Sequence, residues 1–173
     1  MVLPMQALWK LIKASPPLIE DFISLNEQIQ ANGFDLTLRD IASLTSPGRL
    51  SAGNKRTLSK ANSLAFGADD WVRLAQGTYL VTYNEIVNLP KDIMAIGRPR
   101  SSLLRCGVSI GTAVWDAGYS GRSQSLLVIH NPAGFMVQKN ARILQLVFLR
   151  LETATRKTYH GRFQRENVGD EAT

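Results

Sequence analysis

Three consecutive residues, Arg100, Ser101 and Ser102, present hydrogen-bond donors with no carboxylate beside them. A guanidinium group, two hydroxyls and the N–H groups of a turn can together hold the oxygens of a polyphosphate. Arg105 follows closely enough in sequence to join them. In isolation, however, such a short pattern is more typical of a basic turn with solvated arginines and capping serines.

Asp116 lies in "AVWDAGYSG", where an apolar segment ends and a glycine-containing turn begins. A carboxylate there could orient a water molecule and partly deprotonate it for in-line attack on phosphorus. It could equally accept hydrogen bonds from N–H groups of the turn. Residues 117–151 contain no Asp or Glu, which excludes an acid/base carboxylate pair and a protein-built Mg²⁺ cage from this region. A metal would be held mainly by substrate phosphates and water.

Two further groups of residues could support such a site. Asp35 falls inside the alternating stretch "GFDLTL", whose pattern favours a place on the solvent face of a strand. Near the C-terminus, "YHGRFQRE" combines Tyr159, Arg162, Phe163 and Gln164. Such a segment could close over a base and a phosphate, although its local pattern is more typical of a polar tail.

Length and composition narrow the class of protein. The chain has 173 residues, enough for a single domain over 1–173, and its formal charge of +6 favours an anionic partner such as a nucleotide, phosphate or nucleic acid. A single cysteine, Cys106, and two histidines exclude an intrachain disulfide and a Cys/His zinc cage. Neither a membrane span nor a signal peptide is recognisable, so we expect a soluble protein of the reducing cytoplasm.

The elements that must position these residues are mostly short strands. Met5, Leu8, Trp9 and Ile12 recur at helical spacing and predict a short helix within an N-terminal arm over 1–30, part of which fits neither period. From about residue 33 onward, short apolar or alternating runs between turn residues predict an antiparallel barrel, sandwich or jelly roll. A Ser-, Gly- and Lys-rich stretch over 43–63 predicts a long, mobile basic loop, and 159–173 a flexible closing segment.

Five stretches, taken in order, resemble the motifs of the superfamily of trimeric deoxyuridine triphosphatases and dCTP deaminases. They are "IQANGFDLTL", "GTYLVTYNEIVNLPKDIMAIGRPRSSLLRCGV", "DAGYSG", "ARILQLVF" and "YHGRFQ". The resemblance implies a mainly β, distorted jelly roll that assembles as a homotrimer with active sites shared between subunits. The Arg-Ser-Ser-Leu sequence, the helical N-terminal extension and the ending resemble the deaminase-like branch.

The resemblance also implies a role for each candidate residue. Asp116 would activate water and touch the sugar 3′-hydroxyl, with Mg²⁺ as the cofactor. Tyr119 would pack on the deoxyribose, and backbone groups of the turn around it, including Ala117, would bind the uracil. Asp35 and Phe163 would support the site. The remaining residues would contact the phosphates: Arg100, Ser101, Ser102, Arg105, Gln145, Tyr159, Arg162 and Gln164.

Two departures from the deaminases favour hydrolysis. Those enzymes have a catalytic glutamate about one strand after the aspartate. In an ungapped alignment the corresponding residue here is Leu126, and no Glu occurs after Asp116 until Glu152. The polar His-Arg pair before the aspartate is replaced by Val114-Trp115. We therefore expect a dUTP pyrophosphatase that releases dUMP and pyrophosphate.

Two alternatives stay open. The first is a dCTP deaminase, or a bifunctional enzyme, whose glutamate comes from elsewhere, such as Glu85. The second is a non-catalytic nucleotide- or nucleic-acid-binding module that uses Lys55, Arg56 and Lys60 of the basic loop. Nucleic acid is not the expected partner.

Overall fold

Strands dominate the computed structural model, which describes residues 1–169, and the predicted mainly β class is confirmed. The last four residues of the predicted closing segment, 170–173, lie outside the described residues. The helices and strands are α1 (Met5–Ile12), β1 (Ile19–Glu20), α2 (Leu25–Gln28), β2 (Ile29–Gln30), β3 (Gly33–Leu44), β4 (Arg49–Leu50), β5 (Arg56–Thr57), β6 (Ala61–Ser63), β7 (Trp71–Leu74), β8 (Gly77–Tyr83), β9 (Ile86–Asn88), β10 (Ile93–Pro99), α3 (Ser101–Arg105), β11 (Val108–Gly111), β12 (Ser120–Gly121), β13 (Gln124–Ile129), β14 (Phe135–Gln138) and β15 (Arg142–Arg150).

An antiparallel sheet in the order β10-β15-β3-β8-β13-β11 forms the body of the molecule, and β2 and β6 also pair with β3. Smaller sheets are β1-β9-β12, β14-β7 and β4-β5. No helix of residues 1–169 is long and apolar enough to cross a lipid bilayer.

The central pair β3 and β15 has one face in the hydrophobic core. Phe34 lies opposite Leu146 and Leu36 opposite Leu144, and all four are fully buried. Because successive strand residues point to opposite faces, Asp35 and its partner Gln145 share the other face. Burying an apolar side chain of this size contributes about 2 kcal/mol, so these alternating residues hold the sheet that carries the polar pair.

The predicted N-terminal helix is confirmed as α1. Leu8 and Ile12, one turn apart, are its buried residues, and the backbone before it bonds to β15 through Leu3 N–H and Phe148 O at 2.9 Å. The helix ends ahead of Pro16, which cannot continue it. The rest of the arm, which fitted neither period, forms β1, α2 and β2.

Residues 43–63 are not the long loop that their composition predicted. Ser43 pairs with Asn62, Arg49 pairs with Thr57, and the N–H of Ser51 donates to Lys55 O near the tip. The segment is therefore an antiparallel ribbon continuing from the end of β3. Composition missed the pairing, because both strands of an exposed ribbon carry polar side chains and no alternating apolar pattern marks them.

Candidate active site

Asp116 begins a turn that is fixed on both sides. Before it, Trp115 exchanges two backbone hydrogen bonds with Ala95 of β10, at 2.9 and 3.0 Å. After it, Gly118 N–H donates to Leu89 O at 3.1 Å and Tyr119 O accepts from Leu89 N–H at 2.8 Å. Gly118 has φ of +87°, a backbone conformation that a side chain disfavours. These bonds hold the aspartate backbone in place.

The Asp116 carboxylate itself is exposed, and it has no side-chain hydrogen bond to any of residues 1–169. The alternative in which this carboxylate merely accepts bonds from the N–H groups of its own turn is therefore not observed. An unpaired carboxylate on a fixed turn can accept a proton from a water molecule without first breaking another bond.

Two cavities meet at Asp116. One has a volume of about 610 Å³, and its lining includes Ala117, Tyr159 and the basic side chain Lys157. The other has a volume of about 250 Å³ and is lined in part by Tyr119 and Phe163. Four residues predicted as substrate contacts or support, Ala117, Tyr119, Tyr159 and Phe163, thus lie around the predicted catalytic acid.

Tyr119 is buried between two residues of the closing segment. Its ring meets Tyr159 edge to face with centroids 5.6 Å apart, and its hydroxyl donates to Glu166 Oε1 at 2.8 Å. Burial and the Glu166 carboxylate raise the pKa of Tyr119, and burial raises the pKa of Glu166. Sequence analysis missed Glu166, since nothing in the polar C-terminal run distinguishes it from its neighbours.

The closing segment packs against the Asp116 turn of its own chain. Tyr159 N–H donates to Ala117 O at 3.0 Å, and Gln164 bonds to the backbone of Gly118 and Ser120. Arg162, predicted as a phosphate contact, is exposed and does not line either of the two cavities.

Asp35 forms a second polar cluster, and its expected place on the solvent face is wrong. It is 1% exposed, with Oδ2 at 3.2 Å from Arg100 Nε and 3.7 Å from Arg142 Nη1. The sequence pattern failed because α2 covers this face of β3, with Gln28 Nε2 donating to Asp35 O at 2.9 Å. Burial raises the pKa of Asp35, and the two arginines oppose that rise.

Four further predicted phosphate contacts lie in β15 and α3, next to the residues of this cluster: Gln145, Ser101, Ser102 and Arg105. Gln145 of β15 stands in register between Asp35 and Arg98. Ser101 and Ser102 are exposed in α3, where Arg105 Nη1 donates to Ser101 O at 3.0 Å. Sequence analysis did not assign Arg142 or Arg98 to the candidate site. Arg142 lies three residues before Gln145, and this proximity in sequence could have suggested it.

The two clusters are separate within one chain. Ala95 pairs with Trp115 next to the Asp116 turn, whereas Arg100 lies five residues later, just past the end of β10, about 16 Å from Ala95 at the usual rise of a strand. None of Arg100, Ser101, Ser102, Arg105 and Gln145 lines the two cavities at Asp116. A single chain therefore presents an acid-and-tyrosine half-site and a cationic half-site.

Glu85 is the alternative source of a deaminase glutamate, but its carboxylate is hydrogen-bonded in the interior of the protein. It is fully buried, and its carboxylate accepts from Gln28 Nε2 at 2.6 Å and from the Thr37 hydroxyl and N–H at 2.6 and 2.9 Å. Burial raises its pKa, while these hydrogen bonds lower it. Its three bonds link α2 to β3, and it lines neither cavity at Asp116.

Replacing Glu85 with alanine should lower the free energy of unfolding by about 3 kcal/mol, because three buried donors would lose their acceptor. Urea denaturation followed by tryptophan fluorescence measures this change. Glu152→Ala, at an exposed position, is the matched control and should leave the midpoint unchanged. Equal stability of the two variants would contradict a structural role for Glu85.

The fold belongs to a known class of protein. A family model described as dCTP deaminase-like matches residues 2–151, and the chain belongs to that family. The resemblance drawn from the five motifs is thereby confirmed, together with the fold that it implied.

The names of similar proteins are more specific than the description of the family. A protein of Methanosarcina mazei named "Probable deoxyuridine 5'-triphosphate nucleotidohydrolase" is 51% identical over 160 residues, covering 92% of this chain and 94% of its own length. One of Methanococcoides burtonii with the same name is 46% identical, covering 96% of this chain and 99% of its own. A crystal structure of 2'-deoxycytidine 5'-triphosphate deaminase from Agrobacterium tumefaciens matches 85% of this chain with a TM-score of 0.63 and 20% identity. This chain spans about half, 47%, of that deaminase chain, and the likeness shows the fold alone.

Proposed function

We propose that this chain is a cytoplasmic dUTP nucleotidohydrolase that converts dUTP and water to dUMP and pyrophosphate. The observation that carries the proposal is the unpaired Asp116 carboxylate on a fixed turn between two cavities. The names of the relatives at 46–51% identity support dUTP as the substrate.

In this mechanism Asp116 accepts a proton from a water molecule as that water attacks the α-phosphorus, and pyrophosphate leaves. A positioned general base of this kind contributes a factor of about 10² to 10⁴ in rate. Tyr119 packs against the deoxyribose, where its ring leaves no room for a 2′-hydroxyl. The turn around it presents backbone N–H and C=O groups to the base.

The cationic half-site binds the triphosphate. Arg100 forms an ion pair with the buried Asp35 carboxylate, and its guanidinium N–H groups can bind phosphate oxygens. Ser101 and Ser102 add two exposed hydroxyls beside it. Positive charge placed there lowers the repulsion between the attacking water and the substrate.

Mg²⁺ fits this donor set as an ion carried by the substrate. Among residues 1–169 no three His, Cys, Asp or Glu side chains are grouped as metal ligands, and Mg²⁺ accepts phosphate oxygens and water in their place. When bound, the ion neutralises phosphate charge as the α-phosphorus is attacked.

We further propose that the enzyme is a homotrimer whose active sites combine the two half-sites from neighbouring subunits. Arg100 lies five residues beyond Ala95, the residue that pairs next to the Asp116 turn, a span of about 16 Å at the usual rise of a strand, and this supports the arrangement. A closed symmetric assembly places the same pair of surfaces together at every interface, so each copy would complete its neighbour's site.

Turnover assays distinguish this function from its alternatives. With Mg²⁺ present, we expect the purified chain to release pyrophosphate from dUTP and to release no ammonia from dCTP. Ammonia release would favour a deaminase, with Glu166 as the carboxylate to test, since it lines the cavity next to Tyr119. Absence of dUTP turnover, together with salt-dependent DNA binding lost on neutralising Lys55, Arg56 and Lys60, would favour the binding module.

A further inference from the structure

The side-chain amide of Gln164 occupies both polar groups of the turn that follows Asp116. Its Oε1 accepts from Ser120 N–H at 3.2 Å, and its Nε2 donates to Gly118 O at 3.0 Å. One planar amide therefore satisfies a backbone donor and a backbone acceptor at once. A ligand that is to bind these two groups must first displace the amide.

Neighbouring contacts hold the amide in this place. Arg165 N–H donates to Ser120 O at 2.7 Å, and Arg122 N–H donates to Glu166 O at 2.9 Å. Asn167 exchanges two bonds with Arg122, through Nδ2 at 2.9 Å and through its carbonyl at 3.2 Å. Residues 164–167 thus run alongside residues 118–122, and the hydrogen bond between Tyr119 and Glu166 joins the same two segments.

The chemistry of the amide matches that of a uracil ring. Uracil presents a carbonyl oxygen next to a ring N–H in one plane, and a primary amide presents the same acceptor next to the same donor. A backbone N–H and C=O that fit the amide of Gln164 also fit this edge of the base. The two ligands cannot occupy Ser120 and Gly118 together.

We propose that Gln164 is an internal competitor of the pyrimidine: in the unliganded chain the closing segment caps the base-binding groups, and the base of the substrate displaces it. This inference rests on the proposed function, because it takes the turn after Asp116 as the base-binding element. It makes the closing segment a self-inhibitory strap whose release accompanies nucleotide binding.

Binding of deoxyuridine, which lacks phosphates, isolates the base-binding step. Replacing Gln164 with alanine should tighten deoxyuridine binding about three- to tenfold, since two competing hydrogen bonds are lost. Gln164→Glu should also tighten it, because a carboxylate retains the size of the amide but cannot donate to Gly118 O. Gln138→Ala, whose side chain bonds to Asp69 O elsewhere, is the matched control and should bind like the parent chain.

Calorimetry measures these affinities, and hydrogen exchange gives a second result that does not depend on the variants. Saturating deoxyuridine should lower the protection of the N–H groups of Arg165 and Arg122, which bond across the strap. Unchanged or weaker deoxyuridine binding by both Gln164 variants, or unchanged protection, would overturn the proposal. Failure of the parent chain to hydrolyse dUTP is a separate outcome that would reject the proposed function instead.

Discussion

Asp116→Asn should lose pyrophosphate release from dUTP by a factor of about 10³ while binding the nucleotide nearly as well as the parent chain. The amide has the size of the carboxylate but cannot accept a proton from water. Since the Asp116 side chain has no hydrogen-bond partner among residues 1–169, the exchange should leave the turn intact. Steady-state assays measure the turnover, and calorimetry with a non-hydrolysable dUTP analogue measures the binding.

Asp69→Asn provides the matched control for that variant. Asp69 is an exposed acid in the turn before β7, away from both cavities, and its replacement should leave turnover and unfolding unchanged. Normal dUTP turnover by the Asp116 variant would show that another group activates the water. Loss of nucleotide binding together with turnover would instead assign the aspartate to substrate binding.

The strands of the core were predictable because burial leaves a pattern that is local in sequence. Alternation in "ARILQLVF" follows directly from Leu144, Leu146 and Phe148 facing the core. Helical spacing in α1 has the same origin, with Leu8 and Ile12 buried on one side. The ribbon at 43–63 leaves no such pattern, since its exposed strands bury almost nothing.

The candidate site was predictable only in part, because its partners are distant in sequence. Asp116 was recognisable from its turn and from the motif order. The burial of Asp35 was not, since it depends on α2 covering the strand and on Arg142 approaching from β15. Glu166 reaches Tyr119 across 47 residues, a contact that no local spacing encodes.

The separation of Arg100 from Asp116 within one chain has a consequence for the proposed mechanism. Arg100 and Asp116 lie only 16 residues apart in sequence, yet α3 and β11 intervene, and the two side chains belong to different half-sites. In the proposed mechanism a triphosphate bound by one half-site needs the acid of the other, so association between copies would be part of the catalytic machinery.

Mixed oligomers test this sharing directly. Arg100→Gln and Asp116→Asn should each be inactive alone, but co-expressed and purified through two different tags they should regain about a third of the parent activity. Selection for both tags leaves trimers with two copies of one variant and one copy of the other, and in either kind about one site in three takes its cationic half and its acid from intact copies. Activity per site, measured as pyrophosphate release from dUTP, gives the fraction.

A mixture of Arg100→Gln with Gln145→Ala is the control, because both changes affect the cationic half-site. Every site built from that mixture carries one of the two defects, so its activity should not exceed the mean of the two variants alone. Recovery in the first mixture and not in the second requires that Arg100 and Asp116 act from different subunits. If the Arg100 and Asp116 variants form a mixed oligomer that stays inactive, one chain supplies both groups, and closure within the chain must bring the cationic half-site to the Asp116 turn.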